Sequence, residues 1–228
     1  MQRPNVLRIS YCMLMLGATP LMAQSPAPPF LDVSDFRIWE SRSFSGETLY
    51  LPTLENGDPI LNATAAGTAS AFYRQGKINL QQTPCLHWRW RIDATAPVQL
   101  DEQTKTGDDY AARVYVVRSG GLMFWRAKTI NYVWSANQPV DTRWSNAYAG
   151  SNAQMWALDT GNQFADQWQW HSRDIQQDWQ QAFGEPIREL DGIAIMTDGD
   201  DSGSQLSAAY ATLRFTSRNA SGQCELAH

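Results

Sequence analysis

Histidine, cysteine and long apolar runs are all scarce in this chain, and each shortage closes off a class of chemistry. The three histidines, His87, His171 and His228, stand far apart and the last is terminal, so no spacing singles out a zinc site. A lone histidine on a strand is read as structural. There is no Gly-x-Ser-x-Gly elbow, no His-Glu-x-x-His, no phosphate loop and no dinucleotide glycine pattern. No stretch after the first thirty residues is apolar enough to cross a bilayer. Basic residues are also in deficit, 18 against 23 acids, which leaves no electrostatic reason to bind nucleic acid or anionic lipid.

The N-terminus explains the one short apolar run. Arg3 and Arg8 make a positive start, a run to Leu16 follows, and a small residue closes the segment at Ala23. Gly17 and Pro20 interrupt it too early for a membrane span, so it reads as a secretory signal. Cys12 follows the bulky Tyr11, which does not suit a lipoprotein cleavage site, so no lipid anchor is expected. Cleavage after Ala23 removes 23 of 228 residues, two of them arginine and none acidic, taking the formal charge from −5 to −7. The expected product is soluble and periplasmic or secreted. Its divisions are residues 1–23 as signal, 24–35 as linker, 36–217 as one domain and 218–228 as a tail. Two cysteines remain, Cys85 and Cys224. In an oxidising compartment they form a candidate disulfide; the alternative is a buried free Cys85 and a mobile tail thiol.

What the chain has in abundance is alternation. From Leu86 to Val117 two strands flank an acid-rich loop. Leu86, Trp88, Trp90 and Ile92 alternate with His87, Arg89, Arg91 and Asp93, and Tyr110, Ala112, Val114 and Val116 alternate with Ala111, Arg113, Tyr115 and Val117. Short strands precede them, with Gln75-Gly76 placed as a tight hairpin turn. Later strands cover Ile130–Trp134, Gly192–Asp198 and Ala209–Phe215. One helix is expected, from Asp174 to Phe183: Ile175, Trp179, Ala182 and Phe183 form a stripe, Asp174 suits the N-cap, and Gly184 and Pro186 end it. Many short, antiparallel-looking strands with one helix predict an all-β fold, a two-sheet sandwich of jelly-roll type.

Three groups could carry chemistry. Asp198-Gly-Asp200-Asp-Ser202-Gly matches the first half of a calcium loop, with Asp198, Asp200 and Ser202 as oxygen ligands, but Ala209 stands where a bidentate glutamate would close it. The alternative is an acidic turn. Asp108 and Asp109 could pair with Arg89, Arg91 or Arg113, either as a network supporting the sandwich or as the polar floor of a ligand groove. Of ten tryptophans most are core by their alternation. Trp125, Trp144 and Trp168 are the candidate surface rings; core or edge packing comes first for each, and Trp144 is the candidate for stacking on a sugar.

The stretches LHWRWRID, GDDYAARVYVV, NYVWS, WQWHSRDIQQDWQQAFGE and GIAIMTDGDDSGSQLSAAYATLRF together resemble a set of exported bacterial proteins, domain of unknown function 3047, over nearly all the chain from Ser45 to Phe215. In that family the late acidic turn carries aspartates spaced two apart, which Asp198 and Asp200 match. The resemblance implies a single domain in the cell envelope and no particular reaction. Three functions stay open. The first is a non-catalytic saccharide-binding domain, with no cofactor beyond a structural calcium. The second is a polysaccharide hydrolase or lyase using the loop carboxylates, and the third is a structural or partner-binding envelope protein.

Overall fold

The computed structural model describes residues 30–120 and 127–225. The leader and Trp125 lie outside the described residues. Two sheets face each other. The first, of six strands, runs in the order β11 (Gln169–Asp174), β6 (Cys85–Ile92), β13 (Gln205–Thr216), β4 (Asp58–Ala66), β3 (Leu49–Glu55), with β1 (Phe30–Asp32) also on β13. The second, of seven, runs β2 (Glu40–Ser45), β5 (Ala69–Asn79), β12 (Glu189–Asp198), β7 (Arg113–Arg118), β8 (Lys128–Ser135), β10 (Gly150–Thr160), β9 (Arg143–Asn146). Among the described residues every pairing is antiparallel except β8 with β10, which is parallel. This is the expected β-sandwich of jelly-roll type.

Alternation decides which side of each strand is dry. Leu86, Trp88, Trp90 and Ile92 of β6 meet Val114 and Val116 of β7 and Ile193 and Ile195 of β12 in one core between the sheets. Trp88 and Trp90 lie edge to face, with ring centroids 5.5 Å apart. Polar residues on this strand are not all wet. His87 is fully buried at the outer face, bridging Ser172 Oγ and Thr216 Oγ1, each at 2.8 Å. Burial pulls its imidazole down to about 4.

Gln75-Gly76 is not a hairpin turn. β5 runs straight through it, and a bulge places Gly76 and Lys77 opposite Asp191 alone. Gly76 has no positive φ, and a Cβ there would meet nothing within 4 Å. The glycine that close approach requires is Gly192 across the bulge, where a Cβ would lie 2.8 Å from the Arg74 carbonyl.

The helix α1 (Ile175–Phe183) starts and stops where its caps predict. The Asp174 carboxylate accepts from the N–H groups of Gln176 and Gln177, and Gly184 ends the helix at φ 69°. Residues 30–34, expected in a linker, belong to the sandwich. β1 pairs with β13, and the buried Val33 carbonyl accepts from Trp39 Nε1 at 2.9 Å. The tail is tied down as well. Arg218 grips Asp174 at 2.7 and 3.0 Å, and Cys224 is bonded to Cys85, with 5.2 Å between Cα atoms.

Candidate functional site

The two layers give the protein two unlike outer faces. On the six-stranded sheet, Arg89 and Arg91 point out of β6. Their guanidinium carbons lie 4.6 and 4.7 Å from the Trp168 ring, with ion pairs of 3.1 Å to Asp58 and Glu55. On the seven-stranded sheet Arg113 points out of the first position of β7. The two groups therefore lie on opposite outer faces with the core between them, and Arg89 and Arg91 take no part in any site built around Arg113. Alternation sets all three opposite the apolar side of their strands, but it carries no information on which sheet each strand joins.

Around Arg113 several chain segments converge. Met196 is its cross-strand partner, which brings Asp198, two residues on, alongside its side chain. Arg113 Nε donates to Asp198 Oδ1 at 3.1 Å and Nη2 to Asp198 Oδ2. Nη2 also donates to the Asp108 carbonyl, and Nη1 lies 3.8 Å from Asp108 Oδ2. The guanidinium rests over the Tyr110 ring at 4.4 Å. Asn146 at the end of β9 donates through Nδ2 to Asp108 Oδ2 at 2.8 Å, and Tyr148 just beyond donates its hydroxyl to Asp201. Asp109 accepts from the N–H groups of Asp201 (3.2 Å) and Ser202 (2.6 Å), which clamps the acidic turn to the loop before β7. Gly199 makes that turn possible, since a Cβ there would meet the Ser204 carbonyl at 2.4 Å.

Burial sets the electrostatics. It raises the carboxyl of Asp108, with Arg113 pulling the other way. It pushes Asp198 well up too; there Arg113 opposes, while Asp109 and Asp108 add to the rise. Asp201 is also raised, chiefly by burial.

These groups line one end of an open groove along the outer face of the seven-stranded sheet. The acidic end holds about 450 Å³, with Asp108, Arg113, Asn131, Asp198, Asp200 and Asp201 in its walls. A second hollow of about 580 Å³, towards the β5 bulge, shares Phe44, Tyr115 and Thr129 with it. Among the described residues Phe44 and Tyr148 are the open rings here, 61% and 57% exposed. Trp144 is not. It is buried against Tyr110, Val133 and Met155, because β9 lays it over a small apolar cluster outside the main core. Neither Phe44 nor Tyr148 stood out in the sequence. Asn131 carried a faint signal, as an amide inside the apolar run of β8.

One carboxylate oxygen from each of Asp109, Asp198 and Asp200 lies within 4.8 Å of the others, a span that a hard cation could bridge. Ser202 does not join them, as its hydroxyl bonds to Ser204 Oγ at 2.7 Å. Asp198 is held by Arg113, and both oxygens of Asp109 accept from the turn, so the set already has an internal use.

The model of a protein family of unknown function, DUF3047, matches residues 37–214. The chain belongs to this family. No curated protein matches it in sequence. Among solved structures it is similar to an engineered cellulase derived from Cel12A of Rhodothermus marinus (TM-score 0.44, 8% identity, covering 78% of this chain and 96% of that one). It is also similar to the xyloglucanase domain of NopAA from Sinorhizobium fredii (0.38, 10%, 78% and 92%) and to endoglucanase 3 of Trichoderma harzianum (0.38, 6%, 79% and 97%). Among the described residues no helix is long and apolar enough to cross a membrane.

Proposed function

We propose that this DUF3047 protein is exported and that the outer face of its seven-stranded sheet binds an extended saccharide. The observation that carries the reading is the pairing, in one groove, of two open rings with a cluster of polar side chains held rigid by mutual hydrogen bonds. Flat rings accept the apolar faces of sugar rings, and fixed acceptors orient their hydroxyls. Titration calorimetry against neutral and charged oligosaccharides, with Phe44→Ala and Tyr148→Ala as groove variants, tests it. Binding that both variants weaken supports it, and silence across the panel sinks it.

A second reading makes the groove catalytic. The feature favouring it is Asp108, a carboxyl raised by burial that shares the cleft with the carboxyls of Asp200 and Asp201, since glycoside cleavage uses a pair of carboxyl groups. Release of new reducing ends from a bound oligosaccharide, lost in Asp108→Asn, would establish it.

A further inference from the structure

The acidic end of the groove contains two oxygens with no donor. Asp108 Oδ1 and Asn131 Oδ1 are buried without a hydrogen-bond partner, and their residues are 4% and 2% exposed. The remaining polar atoms of the same side chains are engaged. Asp108 Oδ2 accepts from Asn146, and Asn131 Nδ2 donates to Met155 Sδ at 3.3 Å. A buried carboxylate oxygen left unpaired is costly, so such atoms mark where a proton donor from outside the chain belongs.

The charge around them says what kind of donor. Among the described residues the cleft is walled by four aspartates, Asp108, Asp198, Asp200 and Asp201, and by one guanidinium, that of Arg113. Behind the wall Asp109 adds one further carboxylate. The Lys105 ammonium lies over the Tyr148 ring, 4.9 Å from its centroid. A uronate, sulfate or phosphate would enter against this field, whereas a protonated amine enters with it. A divalent ion fits less well. The carboxylates near enough to chelate it include Asp198 and Asp109, which Arg113 and the turn already occupy, while the open acceptors are one carboxylate oxygen and one amide oxygen. That pair suits an ammonium, which needs two or three acceptors; the nearby Tyr148 and Phe44 rings already face Lys105 and Arg42, at 4.9 and 5.6 Å.

We propose that this end of the groove recognises a protonated primary amine, and that the saccharide class is one bearing free amino groups. The inference rests on the saccharide reading above and narrows it.

The test is titration of the full chain, at low salt and mildly acidic pH, with three oligosaccharides of equal length: fully deacetylated glucosamine, N-acetylglucosamine and glucose. The deacetylated oligomer should bind about tenfold or more tightly than the other two, the worth of one charge-assisted hydrogen bond. Asp108→Asn should remove most of that preference. Asp58→Asn, on the opposite face, should leave it intact. Equal affinity for all three overturns the amine but leaves the saccharide reading standing, while no binding by any of them overturns both. Equal losses from Asp58→Asn and Asp108→Asn would reveal diffuse attraction of a polycation, and the proposal fails. It fails likewise if calcium chloride alone stabilises the protein through Asp108 and the deacetylated oligomer does not bind, or if only a trapped water satisfies Asp108.

Discussion

Arg113 and Asp198 reach each other diagonally across the β7–β12 ladder and share two hydrogen bonds, with both side chains almost fully buried on the outer face of the sheet. A buried pair of this kind contributes little against an apolar pair of equal size, yet losing one member is expensive. Arg113→Ala should therefore destabilise the fold by about 3–5 kcal/mol, because Asp198 and Asp108 are left buried beside no cation. Arg113→Met combined with Asp198→Asn should recover much of the loss in urea unfolding. Additive losses would mean that the pair is not the unit.

The disulfide closes a loop between residues 139 apart in sequence. Constraining so long a segment restricts the unfolded chain, and a natural bridge of this kind contributes about 2–5 kcal/mol. Cys224→Ser should lower the thermal midpoint under oxidising conditions and should match the wild type in strong reductant. An unchanged midpoint would mean that the bridge adds nothing to stability.

His87 supplies a pH dependence. Its folded value of about 4 lies below the unfolded 6.5, so the unfolded chain takes up this proton first as pH falls. The stability due to neutral His87 is complete above pH 6.5. It declines by about 1.4 kcal/mol per pH unit down to about 4. Burial raises the carboxyls of Asp108, Asp198 and Glu102, and their contributions run the other way, so the comparison must be with His87→Gln. The difference in unfolding free energy between the two proteins should shift in the variant's favour across that window. A difference flat with pH would contradict a neutral buried imidazole.

The two outer faces should behave independently. Phe44→Ala and Tyr148→Ala change largely exposed rings and should leave stability within about 0.5 kcal/mol while weakening oligosaccharide binding. Trp170→Ala, on the six-stranded sheet beside Arg89, should leave binding untouched. Loss of binding in the tryptophan variant would move the site to the opposite face.

How much of this was legible beforehand depended on the range of the interaction. The Trp88–Trp90 face, the core faces of β7 and β12 and the caps of α1 follow from neighbours two to four residues apart, and all were readable. Gln75-Gly76 misled because glycine serves a bulge as well as a turn, and only the partner strand tells them apart. Trp144 misled because β9 packs onto an apolar cluster that lies outside the main core. Residues 30–34 were too few to show a pattern, and the strand among them forms only by pairing with β13.

For the candidate site, local chemistry named Asp108, Asp109, Arg113, Asp198 and Asp200, since buried or clustered acids near an arginine on a strand are visible as residue types. The sequence by itself determined the sandwich, the alternating faces and the surplus of carboxylates, because periodicity and composition are properties of the chain alone. Only the tertiary structure decided that Arg113 shares its groove with those acids while Arg89 and Arg91 lie on the far side. It likewise decided that Asn131, Asn146 and Tyr148 complete the cleft. Which strands become neighbours is settled by long-range packing, where every alternating strand offers a similar apolar face and the chain's best joint burial makes the choice.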